Sequence, residues 1–196
     1  MHALLEQYLR YWPGFVAASV AQQWQQALQQ TLAWQQPSIQ LYGRTVAVPR
    51  LTAWVGDADA VYQYSGILHQ PTPWTPLLLE IKKQVEMQVG DQFNSVLLNL
   101  YRHGADSNGW HADDEPELNS QHGIASLSLG AERRFRLRSK DQPRESLGHM
   151  DLASGSLLYM RPGAQQVMQH CLAKTRREVG PRINLTFRQV GEVKFC

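Results

Sequence analysis

The second half of the chain is a succession of short β-rich segments separated by turn residues. Six such runs follow Gly90: Ser95–Tyr101, Gly123–Leu129, Arg133–Arg138, Gly155–Met160, Val167–Leu172 and Arg182–Arg188. Most of them alternate polar and apolar residues or are rich in β-forming residues, as strands that face a core are. Many short strands at this spacing predict a sandwich, a barrel or a jelly roll.

The first ninety residues contain two helical patterns. One lies between Pro13 and Pro37 and has a glutamine-rich outer face, with apolar residues at helical spacing at Val16, Val20, Trp24, Ala27 and Leu28. The other runs over Thr75–Val89 and is followed by Gly90, a residue suited to ending a helix. Residues 38–75 are rich in glycine, proline and aromatic residues, which predicts loops and hairpins.

No stretch of the chain has the composition of a linker, so we predict one domain over residues 1–196. Its fold class is α+β, mainly β. Residues 1–90 form a helical part, and residues 91–190 form a β core against which the helices pack.

The composition limits the class of protein. With 196 residues, 43% of them hydrophobic, the chain is long enough for one sizeable core. Apolar runs such as Leu77–Leu79 are far too short to cross a membrane, and residues 1–12 do not resemble a signal peptide. Two cysteines, Cys171 and Cys196, are too few for a disulfide framework. We therefore expect a cytoplasmic protein without a membrane partner.

The net charge of +2 hides an uneven distribution. Residues 1–130 hold 6 of the 19 basic and 11 of the 17 acidic residues, a net charge of −5, whereas residues 131–196 hold 13 basic and 6 acidic residues, a net charge of +7. A basic C-terminal third suits an anionic partner such as nucleic acid or a small polycarboxylate. A solvated basic face balanced by an acidic one is the alternative.

A histidine and an aspartate two positions apart, His111 and Asp113, form the first chemical signal. On an extended segment they lie on the same side, roughly 6.6 Å apart, so an imidazole and a carboxylate can converge on one ion. A second histidine would complete the facial triad of a non-haem Fe(II) site, and His170 is the best candidate. A lone His-x-Asp is also common as a surface hydrogen bond, so the spacing alone is weak evidence.

The strand pattern Arg182–Arg188 places four polar residues on one face: Arg182, Asn184, Thr186 and Arg188. Arginine suits bidentate recognition of carboxylates, and the gap between the two guanidinium groups fits a five-carbon dicarboxylate. The strand Ser95–Tyr101 likewise places Asn99 and Tyr101 on one face, where both can hydrogen-bond a carboxylate. The alternatives are ordinary ones: arginines that point at water, an asparagine in a turn and a core tyrosine.

Taken in order, these motifs resemble the AlkB family of Fe(II)- and 2-oxoglutarate-dependent dioxygenases, which oxidatively dealkylate nucleic-acid bases. The resemblance is carried by Asn99-Leu-Tyr101, His111-Ala-Asp113-Asp114-Glu115, Gly155-Ser-Leu-Leu, His170 and Arg182-Ile-Asn-Leu-Thr-Phe-Arg188. A weaker likeness upstream is closest to the branch that acts on double-stranded DNA, in Leu41-Tyr42-Gly43, Val48-Pro49-Arg50 and Tyr62-Gln-Tyr64-Ser-Gly66. The family implies a double-stranded β-helix (jelly roll) core, with nucleotide recognition in residues 1–90.

The resemblance also implies the cofactors, which are Fe(II), 2-oxoglutarate as co-substrate and molecular oxygen. Three residues are implied as ligands of Fe(II): His111, Asp113 and His170. Arg182 would bind the distal carboxylate of 2-oxoglutarate, helped by Tyr101. Arg188 would take the end that chelates the metal, helped by Asn99, and Asn184 belongs to the same co-substrate site.

A base within a duplex must be flipped out to reach a buried metal, so the resemblance implies a substrate site as well. Six residues are implied in it: Tyr42, Arg50, Tyr62, Tyr64, Asp114 and Glu115. Tyr42 would fill the gap left by the base, and Tyr64 would stack on the base. Tyr62 would hydrogen-bond the base or a phosphate. Asp114 or Glu115 would accept a hydrogen bond from the exocyclic amine of the alkylated, cationic base. A turn tyrosine and an acidic surface loop are the alternatives.

Four arginines offer contacts to phosphates. Arg50 is one, and three others form a basic stripe on one strand face: Arg134, Arg136 and Arg138. A solvated stripe is the competing interpretation. Trp110 alternates away from His111, so we expect it in the core.

The predicted function is the oxidative dealkylation of DNA bases of the 1-methyladenine and 3-methylcytosine type. It converts 2-oxoglutarate to succinate, releases formaldehyde and repairs DNA alkylation damage, and a monomer is expected. Two other functions stay open. One is a 2-oxoglutarate oxygenase acting on RNA, a protein side chain or a small molecule. The other is a non-catalytic nucleic-acid-binding module with a structural metal.

Overall fold

The computed structural model describes residues 2–41, 43–64 and 67–191, with the backbone alone described at 41, 62–64 and 67–69. The helices of the described part are α1 (Ala3–Tyr8), α2 (Ala18–Thr31), α3 (Pro76–Val89) and α4 (Ala164–Val167). Its first eight strands are β1 (Leu9–Trp12), β2 (Ser38–Leu41), β3 (Arg44–Ala47), β4 (Leu51–Gly56), β5 (Tyr62–Tyr64), β6 (Ile67–His69), β7 (Ser95–Tyr101) and β8 (Asn108–His111). The later strands are β9 (Ile124–Gly130), β10 (Arg133–Ser139), β11 (Ser146–Leu152), β12 (Ser156–Met160), β13 (Met168–Leu172) and β14 (Arg182–Arg188).

Two antiparallel sheets form the β core. The larger sheet has the strand order β1-β12-β9-β14-β7-β4, and the smaller sheet has the order β11-β10-β13-β8. The hairpins β2-β3 and β5-β6 lie outside both sheets. Residues of both sheets line one cavity, which therefore lies between them. This arrangement confirms the predicted α+β, mainly β fold with a jelly-roll core.

Helices α2 and α3 pack on the outer face of the larger sheet. Their buried residues are Ala21, Trp24 and Leu28 of α2 and Leu78, Ile81 and Val85 of α3. These side chains share one apolar cluster with strand residues such as Leu98 and Leu185. Helix α3 begins where the Thr75 hydroxyl accepts from the Leu78 N–H, and it ends at Gly90, whose φ is +71°. The prediction that the N-terminal helices pack against the β core is confirmed.

All six predicted strands are present, each with bounds within one residue of the prediction. Four strands and two short helices were missed: β1, β4, β8, β11, α1 and α4. Strand β4 lies in the stretch predicted as loops and hairpins, yet it pairs with β7 along its whole length, from Leu51 opposite Leu100 to Gly56 opposite Ser95. Because β1 and β4 both belong to the larger sheet, the sheet takes strands from either side of residue 90. The single-domain organisation stays a prediction.

Strand β14 is buried on both faces and positions the site. Ile183, Leu185 and Phe187 point into the apolar cluster beneath the helices. Arg182, Asn184 and Thr186 line the cavity between the sheets. No helix within the described residues is long and apolar enough to cross a membrane.

Candidate metal and co-substrate site

The three predicted metal ligands converge on one point of the cavity between the sheets. The ligand atoms of His111, Asp113 and His170 all lie within 4.8 Å of one another. The Nε2 atoms of His111 and His170 lie 3.9 and 4.0 Å from the two oxygens of the Asp113 carboxylate. Two imidazoles and one carboxylate on one side of an ion leave positions open on the other side, and this donor set fits Fe(II).

Strand pairing brings the two histidines together. His111 ends β8 and lies opposite His170 of β13, with their ring centroids 4.3 Å apart. The His111 Nδ1–H donates to the backbone oxygen of Gly109 at 2.7 Å, which turns Nε2 toward the other ligands. Asn108 Nδ2 lies 3.1 Å from this Nε2, in a hydrogen bond that a bound metal would replace.

The environment of His170 keeps its imidazole neutral. Burial lowers the pKa of His170 to about 4, although the Asp113 carboxylate opposes this shift. The Phe135 ring stacks on the imidazole with centroids 5.0 Å apart. A neutral imidazole has a free lone pair at pH 7, so His170 can bind a metal without first losing a proton.

The Asp113 carboxylate is held in its ionised form. Burial alone would raise its pKa, but Arg188 and the two histidines lower it to about 2. Arg188 Nη2 donates to Asp113 Oδ1 at 2.5 Å. Arg188 therefore restrains one oxygen of the carboxylate, while the ligand set remains anionic over the whole neutral range.

Next to the triad lies a cavity of about 280 Å³, with Arg182 in its wall. Arg182 is 2% exposed and donates to the Ser128 hydroxyl at 2.9 Å and to Asn184 Oδ1 at 2.8 Å. Its Nε has no hydrogen-bond partner, and no carboxylate of the described residues pairs with it. Burial lowers the pKa of Arg182 to about 10, so it is still a cation at pH 7. A buried cation beside an open cavity favours an anionic ligand, and a carboxylate of 2-oxoglutarate fits.

Tyr101 and Asn99 stand on the strand beside Arg182. Tyr101 lies directly opposite Arg182, whose guanidinium carbon is 5.5 Å from the centre of its ring. Burial raises the pKa of Tyr101, so the phenol stays protonated and can donate to a carboxylate. Asn99 lies opposite Asn184, between the two arginines of β14, whereas Arg188 lies opposite Ser95. The register therefore places Asn99 nearer to Arg182 than to Arg188, the residue it was predicted to assist.

The predicted substrate residues lie in different settings. Tyr42 lies outside the described residues, and of Tyr62 and Tyr64 only the backbone is described, in β5. Arg50 donates from Nε to Asn99 Oδ1 at 2.8 Å and lines the co-substrate cavity.

The two acidic residues after Asp113 differ in their environment. Asp114 is exposed and pairs with Lys140 Nζ at 2.5 Å. Glu115 is half-buried, lines the cavity beside the triad, and has an Oε2 atom that is buried without a hydrogen-bond partner. Burial raises the pKa of Glu115, partly offset by Arg188. Of the two, only Glu115 faces the cavity.

The expectation that Trp110 lies in the core is wrong. Trp110 is 39% exposed on the outer face of the smaller sheet, and the Arg138 guanidinium lies 4.5 Å from its ring centre. Alternation with His111 correctly turns Trp110 away from the metal site, but no helix covers this face of the smaller sheet in the described part of the chain. Trp110 lines a groove of about 410 Å³ together with Arg134, Arg136, Arg138, Arg144 and His149.

Several residues of the site were not predicted. Phe135 stacks on His170, Asn108 bonds to His111, Ser128 accepts from Arg182 and Gln165 accepts from the Asp113 N–H. The alternation of β10 already turns Phe135 away from the basic stripe. Ser128 and Gln165 have no signal in the sequence, because their partners are distant in the chain, whereas Asn108 lies three residues before His111 on β8.

Comparisons with known proteins agree with this geometry. The family model of the 2OG-Fe(II) oxygenase superfamily matches residues 8–188. The chain is 41% identical over 186 residues to alpha-ketoglutarate-dependent dioxygenase alkB homolog 3 of Bos taurus, in a match that covers 91% of this chain and 64% of the relative. It is 41% identical over 162 residues to the DNA oxidative demethylase ALKBH2 of Mus musculus, covering 80% of this chain and 68% of that protein.

The chain is shorter than these relatives, since it spans 64% and 65% of the length of the bovine and human alkB homolog 3 proteins. The solved structure of OsALKBH1 shares its fold, with a TM-score of 0.65 and 17% sequence identity. That superposition covers 92% of this chain and 97% of the other.

Proposed function

Because the chain belongs to the AlkB family within the 2OG-Fe(II) oxygenase superfamily, we propose that it oxidatively dealkylates N-alkylated bases in DNA. The observation that carries the proposal is one cavity whose wall holds both the His111, Asp113 and His170 triad and the buried, carboxylate-free Arg182. A facial triad beside a buried cation suits a metal and a dicarboxylate bound together.

Each group of residues has its own part in the reaction. His111, Asp113 and His170 would hold Fe(II), which supplies the activation of molecular oxygen when it is bound. Arg182, with Tyr101, binds the distal carboxylate of 2-oxoglutarate and so orients its other end toward the triad.

In the overall reaction, one molecule of oxygen oxidises one molecule of 2-oxoglutarate and one alkyl group. One oxygen atom enters succinate as 2-oxoglutarate loses carbon dioxide, and the other enters the alkyl group. The cationic hydroxymethyl base then releases formaldehyde and a proton, which leaves the neutral base with the lone pair restored on its ring nitrogen.

The substrate class rests on the site and on the relatives. Two relatives are named DNA oxidative demethylases, which favours a nucleic-acid base over a protein side chain or a small molecule. A base alkylated at adenine N1 or cytosine N3 is a cation, and the Glu115 carboxylate at the cavity supports its binding. The base is flipped out of the helix, stacked by Tyr64 and replaced in the helix by Tyr42, with Tyr62 at the base or a phosphate.

The groove behind the metal site supports contacts to the DNA backbone. It combines four arginines with the exposed ring of Trp110. Arg134 donates to Asp151 and Arg138 to Gln169, whereas Arg136 and Arg144 have no side-chain hydrogen bond to any residue that the structure describes. Arg136 and Arg144 are exposed and available to phosphates.

We also propose that the enzyme acts as a monomer in the cytoplasm, as the sequence predicts. One chain supplies the whole triad and the co-substrate cavity, so a single chain suffices for the proposed site.

A mass-spectrometric demethylation assay tests this function. Oligonucleotides with one 1-methyladenine or 3-methylcytosine, single-stranded and duplex, are incubated with Fe(II), 2-oxoglutarate and oxygen. The expected result is the loss of one methyl mass that needs all three, disappears in His111→Ala and persists in His103→Ala, a matched exposed histidine outside the cavity. Steady succinate formation without demethylation of any oligonucleotide would reject the DNA substrate and keep the oxygenase.

A further inference from the structure

The carboxylate ligand lies on a segment without regular structure. Strand β8 ends at His111, and residues 112–115, which include Asp113, belong to no strand or helix. Asp113 is nevertheless only 6% exposed. Buried backbone N–H groups are almost always paired, so the main chain of Asp113 needs a partner other than a neighbouring strand.

Gln165 of α4 supplies that partner. Its side-chain Oε1 accepts from the Asp113 N–H at 3.0 Å, and its Nε2 donates to Met160 Sδ at 3.3 Å. Gln165 is itself only 7% exposed. Because a backbone N–H is only a donor, the amide oxygen must face Asp113, and both ends of the buried amide are used.

The same short helix also leads to the third ligand. Helix α4 runs directly into β13, where His170 follows Gln165 by five residues. Lys140 adds a second link, since its Nζ donates to the backbone oxygen of Gln165 at 3.3 Å and to the Asp114 carboxylate at 2.5 Å. Two consecutive residues of the 112–115 segment are thus tied to the turn that precedes His170.

We propose that Gln165 is a positioning residue that fixes the main chain of Asp113 relative to His170 and so sets the geometry in which the triad takes Fe(II). Arg188 restrains the carboxylate oxygen from β14, but it does not fix the backbone from which the side chain starts. The Gln165 side chain meets the backbone of Asp113 and a methionine, so it acts on the metal only through the ligand. The inference rests on the metal centre of the proposed function and is independent of the DNA substrate.

Metal binding alone tests the proposal. The absorption of Co(II), a spectroscopic substitute for Fe(II), is titrated without 2-oxoglutarate or DNA. Gln165→Leu removes both hydrogen bonds, Gln165→Asn keeps the amide but cannot reach Asp113, and Gln165→Glu keeps an acceptor oxygen. The Leu and Asn variants are expected to bind Co(II) roughly 10-fold more weakly, and the Glu variant to recover most of this loss. Gln166→Leu, the exposed neighbour on the same helix, is the matched control and binds as the wild type does.

Hydrogen exchange distinguishes positioning from general damage. In Gln165→Asn the Asp113 amide is expected to exchange about 10-fold faster, while the β13 amides keep their protection. If Gln165→Leu does not fold, the Asn variant carries the comparison. Wild-type Co(II) affinity in a folded Asn variant would overturn the proposal. If Gln165→Asn binds Co(II) more weakly but the wild-type protein dealkylates no base, the positioning role of Gln165 is sustained and the proposed DNA substrate is rejected.

Discussion

We expect recognition of the co-substrate to depend most on Arg182. Its guanidinium is buried and keeps its charge at pH 7, and its hydrogen-bond partners among the described residues are neutral, the Ser128 hydroxyl and the Asn184 amide. A cation in this setting is stabilised when a carboxylate enters the cavity, and the protonated phenol of Tyr101 offers that carboxylate a second hydrogen bond. The buried position of this cation beside an open cavity therefore favours an anionic ligand.

Replacing Arg182 with glutamine is expected to raise the KM for 2-oxoglutarate. The loss of a buried charge pair costs about 2 kcal/mol or more, roughly 30-fold in KM. Arg182→Lys keeps the positive charge but not the planar guanidinium group, so its KM should lie between those of the wild type and Arg182→Gln. Succinate formation against 2-oxoglutarate concentration measures this. Arg176→Gln, an exposed arginine outside the cavity, is the control. A KM for Arg182→Gln within about 3-fold of the wild type would contradict this role.

At the residue scale, the sequence predicted those site residues that a local pattern marks. The His-x-Asp spacing places its two side chains on the same side of an extended segment, and the alternation of Arg182–Arg188 places its polar side chains on one face of β14. The structure brings both groups to one cavity. Ser128 and Gln165 escaped prediction, because each meets its partner only through the pairing of distant strands or the packing of a helix. Their identities carry no local signal of these contacts. Asn108 lies three residues from His111 on the same strand, but that spacing alone did not mark it as a residue of the site.

Asp91 follows α3 and hydrogen-bonds to β12 and to the residues just before β9. Its carboxylate accepts from the Gly123 N–H at 2.8 Å, from the Tyr159 hydroxyl at 2.8 Å and from His122 Nδ1 at 2.6 Å. Burial alone would raise its pKa, but these hydrogen bonds, which favour the ionised form, leave the pKa of Asp91 below its ordinary value. The end of α3 is thereby tied to β9 and β12.

Asp91→Asn is expected to lower the free energy of unfolding by about 1–2 kcal/mol at pH 7. The native pKa lies below the unfolded value of about 3.9, so the stabilisation by the carboxylate is fully present above that value. It is lost as the pH falls through the native pKa. Urea unfolding at pH 7, 4 and 3 checks this, with Asp59→Asn in an exposed turn as the control. A stability gap that widens on acidification would be inconsistent with this account.

Gly155 joins the segment just before α2 to the start of β12. Its φ is +76°, its backbone oxygen accepts from the Val16 N–H at 3.0 Å, and an added Cβ would lie 2.5 Å from the Val16 oxygen. Gly155→Ala should therefore lower the free energy of unfolding by about 1–3 kcal/mol. Gly180→Ala, where nothing lies within 4 Å, should change it by less than about 0.5 kcal/mol. Urea unfolding measures both, and equal stability of the two variants would refute the anchoring role.

At the element scale, prediction succeeded where a pattern was long enough. The six strands with extended β-rich patterns and helix α3, with its Thr75 cap and terminal Gly90, were located closely. The edge strands β1 and β4 were missed, since their half-buried residues show weak alternation and their pairing with β12 and β7 is not local.

The charge asymmetry of the chain becomes a spatial one in the folded molecule. The basic C-terminal third places Arg134, Arg136 and Arg138 on the uncovered face of the smaller sheet, where Arg144 joins them. Helices α2 and α3 cover the outer face of the larger sheet instead. We therefore expect one face of the molecule to attract a phosphate backbone.

Removing two exposed arginines of the groove together, Arg136→Ala and Arg144→Ala, should weaken DNA binding and make it less dependent on salt. Each arginine that no longer neutralises a phosphate reduces the slope of log affinity against log salt by about 0.9. Fluorescence anisotropy with an undamaged duplex at several salt concentrations measures both quantities. Lys83→Ala, on the exposed side of α3, is the matched control. An unchanged slope in the double variant would exclude the groove from the DNA interface.

We propose that one cavity couples the oxidation of 2-oxoglutarate to the repair of an alkylated base. Quantifying succinate and repaired base in the same reaction tests it most directly, with a methylated oligonucleotide and its unmethylated counterpart. We predict one additional succinate for each base repaired, and both products should vanish in Asp113→Ala. Succinate formed at the same rate with either oligonucleotide, with no base repaired, would contradict the claim.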